Sequence, residues 1–301
     1  MQEKKIIFWS RLLWILWVYT LLVILWGAWV RISHSGDGCG DTWPLCHGKL
    51  IPEAERGKTW VEYGHRLMSG IYGLVVFYIF YQGRRFFAGQ AFIRKSLSAI
   101  LILTITEALL GAKLVLFGLV SSNDSLFRLF AMTLHQVNSL LLSGAVIVAA
   151  LAVQAVVDLQ KNTDDSLKIP IHPDTIGSDK NDKFSFLQRR SFFLVLFIII
   201  AVTGAWASLS GTLFPSLSLL QGLQMDLAAQ AHPILRLRMA HPLMALSLGG
   251  GMVLYFWLQA QKMTSNAAKK IYLQTALGIA VALVFGFLTL KFLGLINLIA
   301  T

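Results

Sequence analysis

The chain has 301 residues, 56% of them hydrophobic and only 14% charged, with a formal net charge of +11. A mean hydropathy of +0.65 excludes an ordinary soluble domain and points to an all-α, polytopic membrane bundle. The basic excess sits in short connections between apolar runs, which argues against a nucleic-acid surface.

Seven apolar segments are legible in chain order: 7–30, 62–82, 96–119, 126–157, 191–213, 236–260 and 271–298. Each is near the roughly 20 residues a helix needs to cross a hydrocarbon core. The first is too long for a signal-peptide core and lacks a small-residue cleavage site, so it reads as a first spanning helix. Continuous rather than alternating apolarity excludes a β-barrel. Lys4, Lys5 and Arg11, then Arg84, Arg85, Arg94 and Lys95, then Lys262, Lys269 and Lys270 mark one side. By the positive-inside rule that side, with the N-terminus, is cytoplasmic, as in a bacterial inner membrane. The polar stretch 158–190 reads as a cytoplasmic linker between an N-terminal half, 1–157, and a C-terminal half, 191–301.

Three histidines fall near the outer starts of apolar segments: His65, His135 and His241. Ionisable residues inside spans are expensive and mark functional sites. Histidines facing each other from neighbouring helices are a common way to hold haem iron. The plain alternative for each is a hydrogen-bonded helix contact. Glu62 lies three residues before His65, on the same helix face, where it could orient the ring or move protons. Its alternative is an interfacial carboxylate bonded to Arg66 or water. Cys39 and Cys46 share one outer loop; an oxidising compartment and short spacing favour a disulfide, and a metal site with His47 is the other reading. Glu107, Lys113 and Lys291 lie within apolar segments. Lys113 is read as snorkelling, while Glu107 and Lys291 need partners not evident from sequence. His34, His47, His172 and His232 fall in loops, and the run Gly249-Gly250-Gly251 reads as room for close approach.

The two sides of the linker repeat one another. Gly27-Ala28-Trp29-Val30 is echoed by Gly204-Ala205-Trp206-Ala207, and His65-Arg66-Leu67-Met68 by His241-Pro242-Leu243-Met244. Leu109-Leu110-Gly111 has a weaker echo in Phe292-Leu293-Gly294. Two pseudo-symmetric four-helix halves follow, with equivalent sites at equivalent depth. The repeat expects an eighth helix carrying a counterpart of His135, which these 301 residues do not contain. Arg238 stands where the first half has Glu62, so the halves are expected to differ in chemistry, with the acid-bearing half catalytic.

The stretch from Gly27 to Gly48, with Arg31, Ser33, Ser35, Gly36, Cys39, Trp43, Pro44 and Cys46, resembles the first external loop of haem A synthases. Glu62-x-x-His65-Arg66 and His135 match that family's following elements. The resemblance is strongest over 27–140. It implies conversion of haem O to haem A, with a porphyrin methyl oxidised to a formyl group for use by respiratory terminal oxidases. It further implies His65 and His135 as iron ligands of the N-terminal substrate haem, and Glu62 as the carboxylate needed for activity. His241 would be a ligand of a C-terminal haem b, and Cys39–Cys46 a disulfide. Haem O synthase, terminal-oxidase assembly factors, an electron donor and membrane lipid are the implied partners. The chain departs from the pattern at Glu107, where a glutamine is expected, at Lys291, and in the second outer loop, which has no cysteine pair. A dihaem cytochrome b passing electrons and a non-catalytic haem-binding or assembly protein are the competing readings.

Overall fold

The computed structural model describes the backbone of residues 2–53, 57–164, 180–216 and 218–299, and their side chains except at 2, 161–164, 180–191, 267 and 289–299. His172 lies outside the described residues, as does the side chain of Lys291. The chain divides into two compact units, Met1–Pro173 and Asp174–Thr301.

The first unit is a four-helix bundle of α1 (Gln2–Ile32), α2 (Gly57–Phe86), α3 (Ala91–Leu116) and α4 (Leu126–Asp164). α1 and α3 each pack against both α2 and α4, so α2 and α4 stand diagonally opposed. The packed core occupies one end only. Leu13 and Leu16 of α1, Val76 and Ile79 of α2, Leu97 and Ile100 of α3, and Val146, Ala149 and Val153 of α4 are almost fully buried there. At that end the basic side chains fold back: Arg85 lies over the Tyr81 ring at 3.9 Å, and Arg84 donates to Ser98 Oγ.

The other end carries the loops 33–56 and 117–125. Both preceding helices finish in Schellman caps, in which a left-handed residue lets two backbone N–H groups satisfy the last carbonyls. Gly118 (φ 60°) fills that position after α3, with Leu119 N–H on the Leu114 carbonyl at 2.8 Å. His34 (φ 50°) fills it after α1, with Ser35 N–H on the Val30 carbonyl at 2.9 Å.

The second unit contains α5 (Lys180–Leu213), α6 (Leu219–Leu227), α7 (Pro233–Arg236), α8 (Ala240–Met244), α9 (Gly250–Lys262) and α10 (Asn266–Ile299). A 3-10 turn, Leu237–Met239, joins α7 to α8, and a π-helical turn, Ala245–Gly249, joins α8 to α9. The apolar segment expected over 236–260 is therefore a composite helix. Pro242 has no N–H for the Arg238 carbonyl, so the regular ladder cannot pass through it. Gly249 lets α10 approach, since a Cβ there would meet Leu283 Cδ2 at 3.0 Å. Gly250 and Gly251 face open space instead.

Among the described residues, six helices are long and apolar enough to cross a membrane: Glu3–Ile32, Ala91–Leu116, Leu126–Gln160, Phe192–Leu213, Pro233–Lys262 and Ala268–Leu288. Their large apolar side chains point outward, as with Ile15, Leu246 and Phe285, where a soluble bundle would bury them. α2 is 30 residues long but less apolar, because Glu62, His65 and Arg66 occupy one end and Gln82, Arg84 and Arg85 the other. Helix also extends beyond the apolar runs into the stretch 158–190, to Asp164 in α4 and from Lys180 in α5.

Candidate functional site

In the first unit the histidines gather at the loop end, away from the packed core. His65 lies on α2 and His135 on α4, the diagonal pair, and their rings are close enough to interact electrostatically. Each ring sits beside a glycine of a neighbouring helix. A Cβ on Gly27 of α1 would stand 3.0 Å from His65 Cε1, and one on Gly111 of α3 would stand 3.7 Å from His135 Cε1. α1 and α2 interlock reciprocally here. The Trp26 ring covers Gly64 while its Nε1 donates to the Val61 carbonyl at 2.9 Å.

The second unit repeats the device. A Cβ on Gly204 of α5 would lie 3.1 Å from His241 Cε1. His241 Nδ1 is 3.3 Å from Thr203 Oγ1, and the ring also bonds the Ile200 backbone. Such contacts orient an imidazole and direct its other nitrogen elsewhere. The repeated Gly-Ala-Trp thus has a physical cause, in that each glycine vacates the space its histidine ring needs.

Glu62 is buried, with 3% of its surface exposed, and both of its oxygens are engaged. Oε2 accepts the Cys39 backbone N–H at 2.8 Å, and Oε1 accepts Arg66 Nη2 at 2.5 Å and Nε at 3.1 Å. Arg66 Nη1 in turn donates to the carbonyls of Thr42 and Leu45, each at 2.6 Å. The pair clasps the loop 33–56 onto α2. Within that loop Cys39 and Cys46 form a disulfide, and both are buried. His47 bonds the Gly38 carbonyl through Nε2 at 2.9 Å, so it serves the loop. In the second unit Arg238 makes the corresponding clasp, with Nη2 2.7 Å from Asp226 Oδ1 and bonds to the Phe214 and Gly222 carbonyls. The acid comes from the histidine-bearing helix α2 in one unit and from the short helix α6 in the other.

Glu107, unassigned from sequence, belongs to the His135 site. Its Oε2 accepts Asn138 Nδ2 at 2.6 Å, its Oε1 accepts Ser139 Oγ, and Oε1 lies 3.4 Å from His135 Nδ1. Asn138 is itself tied to the Leu103 carbonyl and Thr106. The only sequence clue was an acid in an apolar run; its partners lie on another helix. Lys113 is exposed near the end of α3, His34 and His47 are exposed loop residues, and His232 caps α7 through Ile234 N–H.

The donor set can be tested against a haem. Among the described residues no group of three or more His, Cys, Asp or Glu side chains could hold a bare metal ion. A haem asks only for axial imidazoles, which two diagonal helices offer. His65 Nδ1 is buried with no hydrogen-bond partner, and the glycines leave the rings unencumbered. The residues fit.

The chain is similar to known proteins over nearly all its length. Residues 10–298 match the family described as COX15-CtaA, cytochrome oxidase assembly protein. A "Protoheme IX farnesyltransferase" of Thermus thermophilus is 31% identical over 266 residues, covering 87% of this chain and 41% of that protein. This chain therefore spans about two-fifths of that relative's length. A "Heme A synthase" of an Exiguobacterium species is 54% identical over 56 residues, 19% of each chain. One from Alkalihalophilus pseudofirmus is 39% identical over 98 residues, 33% of each.

Proposed function

The chain belongs to the COX15-CtaA family of cytochrome oxidase assembly proteins, and from that premise we propose that it is a haem A synthase, oxidising a methyl group of haem O to the formyl group of haem A. The observation that carries this reading is the His65–His135 pair, set on diagonal helices beside Gly27 and Gly111 at the loosely packed end of the first bundle. The first half, 1–157, is the substrate half, 158–190 the linker and 191–301 the haem b half.

A bound haem would supply the redox chemistry, in which the methyl group gains one oxygen atom from water and gives up four electrons and four protons to an external acceptor to become a formyl group. The protein's own groups do the rest. His65 and His135 would hold the substrate haem. Glu107, 3.4 Å from His135 Nδ1, places a carboxylate beside that ring. The clasped loop 33–56 would cover the site. Glu62, one turn from His65, stabilises charge or moves a proton at the reacting edge. For that, Arg66 must release Oε1, since both carboxylate oxygens are otherwise engaged. His241, its Nδ1 beside Thr203, would hold a haem b in the second half, and that group would supply electron transfer.

Two independent features favour an outer-facing loop and a cytoplasmic N-terminus. A disulfide persists on the oxidising side of a membrane, and Arg84, Arg85, Arg94 and Lys95 lie at the opposite end of the bundle. In bacteria that membrane is the inner one. Haem O synthase is the proposed supplier of substrate. Similarity to a protein named for farnesyl transfer to protohaem supports that pairing.

Co-expression with a haem O producer tests the function. Pigment extracted from cells with the wild-type chain should contain haem A, and Glu62→Gln should bind haem yet leave haem O unconverted. Haem B alone from the wild-type chain would favour the electron-carrier reading, and full conversion by Glu62→Gln would remove the carboxylate from the mechanism.

A further inference from the structure

Two arginines stand beyond the histidine pair at the loop end of the first unit. Arg31 is four residues past Gly27, so it lies on the same face of α1, one turn (~6 Å) beyond the His65 ring. Arg128 precedes His135 by seven residues, two turns (~10 Å) along the same face of α4. α1 and α4 are packed neighbours, and the two guanidinium groups are near enough to repel each other.

Their surroundings do not account for them. Arg128 is 4% exposed; its Nη1 donates to the Ser121 and Asn123 carbonyls at 2.7 and 2.6 Å, while its Nε is buried without a partner. Arg31 Nε is also buried without a partner. Glu62 pairs with Arg66 and Glu107 lies beside His135, so neither of these acids is paired with the arginines. Buried guanidinium N–H groups without a partner, on two charges that repel each other, are costly, and an anion seated against both would offset that cost. Guanidinium groups suit carboxylates in particular, through paired N–H donors.

We infer that Arg31 and Arg128 form the seat for the propionate carboxylates of the porphyrin that His65 and His135 hold, an inference that rests on the haem reading above. A haem carries both propionates on one edge, and both arginines lie on one side of the ligand pair. The methyl that becomes a formyl group shares a pyrrole ring with a propionate. Pinning that edge fixes which methyl lies beside Glu62, so the arginines set position and regiochemistry as well as affinity.

The test compares ferric protoporphyrin with its dimethyl ester, in which the propionates are neutral. Each is titrated into the full chain prepared without haem, and the low-spin bis-imidazole absorbance is followed. The His65→Ala variant identifies the signal of the first unit. The wild-type first unit should bind the diacid at least about tenfold more tightly than the ester. Arg31→Gln should weaken the diacid about tenfold and leave the ester unchanged, and Arg31→Lys should restore part of the preference. Arg31 is the cleaner site, because Arg128 also holds loop carbonyls. If Arg31→Gln binds the diacid as wild type does, with the low-spin spectrum intact, the seat is wrong and the haem reading stands. If neither porphyrin gives a His65-dependent signal, the haem reading itself falls.

Discussion

A side chain at Gly27 would collide with the ring it faces. With a Cβ only 3.0 Å from His65 Cε1, Gly27→Ala forces the imidazole aside by a few tenths of an ångström, and Gly27→Val forces it out of its rotamer. We expect Gly27→Val to cost about 1–3 kcal/mol and to abolish the low-spin haem signal of the first unit, measured by absorbance and haem content. Glu107→Gln removes a negative charge 3.4 Å from the His135 ring, so the midpoint potential of the haem held there should rise in a redox titration. An unchanged potential would reduce Glu107 to a hydrogen-bond hub for Asn138 and Ser139. These two residues show where sequence reading works and where it stops. His65, His135 and His241 were visible because an ionisable group in an apolar run is costly. The Gly-Ala-Trp repeat was visible too, but its cause is a contact with a ring more than thirty residues away. Glu107 was visible only as an anomaly, since its partners lie about one helix further along the chain.

At the scale of elements, the loop 33–56 is held by contacts that leave no slack. Gly38 has no room for a side chain; its Cβ would lie 2.4 Å from the Lys58 backbone carbonyl, which cannot swing away. Gly38→Ala should lift the loop off α2 and make 33–56 the first site of limited proteolysis. Cys39→Ser should do the same more mildly, lowering stability by about 2–4 kcal/mol through the freed loop. If either variant resists protease as wild type does, the Glu62–Arg66 clasp alone holds the loop. The cysteine spacing makes the disulfide legible, whereas a bond between Glu62 and Arg66 is legible only as one of two readings of that acid, and its hold on the loop is not. The composite helix around Pro242 was not legible as such. Proline announces a break, but whether the chain answers with a 3-10 turn, a π turn or a kink depends on packing against α5 and α10.

For the whole molecule, hydropathy gave the class and nearly all the spans, because lipid-facing apolarity is written into every turn. α2 is the instructive exception, since the polar groups that build the site are what lower its apolarity. The two units carry the same histidine–glycine device with different acids, so they should be separable by mutation. His241→Ala should remove one haem per chain in a haem-to-protein assay while leaving the His65-dependent spectrum in place. Loss of both signals together would mean that the units do not fold independently.

The uneven packing of the first bundle has a consequence for its motions. Leu13, Leu16, Val76, Ile79, Leu97, Val146 and Val153 lock the helices at one end, so cohesion there does not depend on any bound porphyrin. Around the histidines the same helices are joined mainly by polar clasps and glycine contacts, which open at lower free energy. Backbone amides should therefore exchange with deuterium along a gradient, slowly at the locked end and quickly near His65 and His135. Porphyrin capture would flatten that gradient from one side only. On the proposed function the bundle would work as a hinged clip, rigid at its base, whose jaws part to admit a large planar guest without loosening the grip that keeps the helices together.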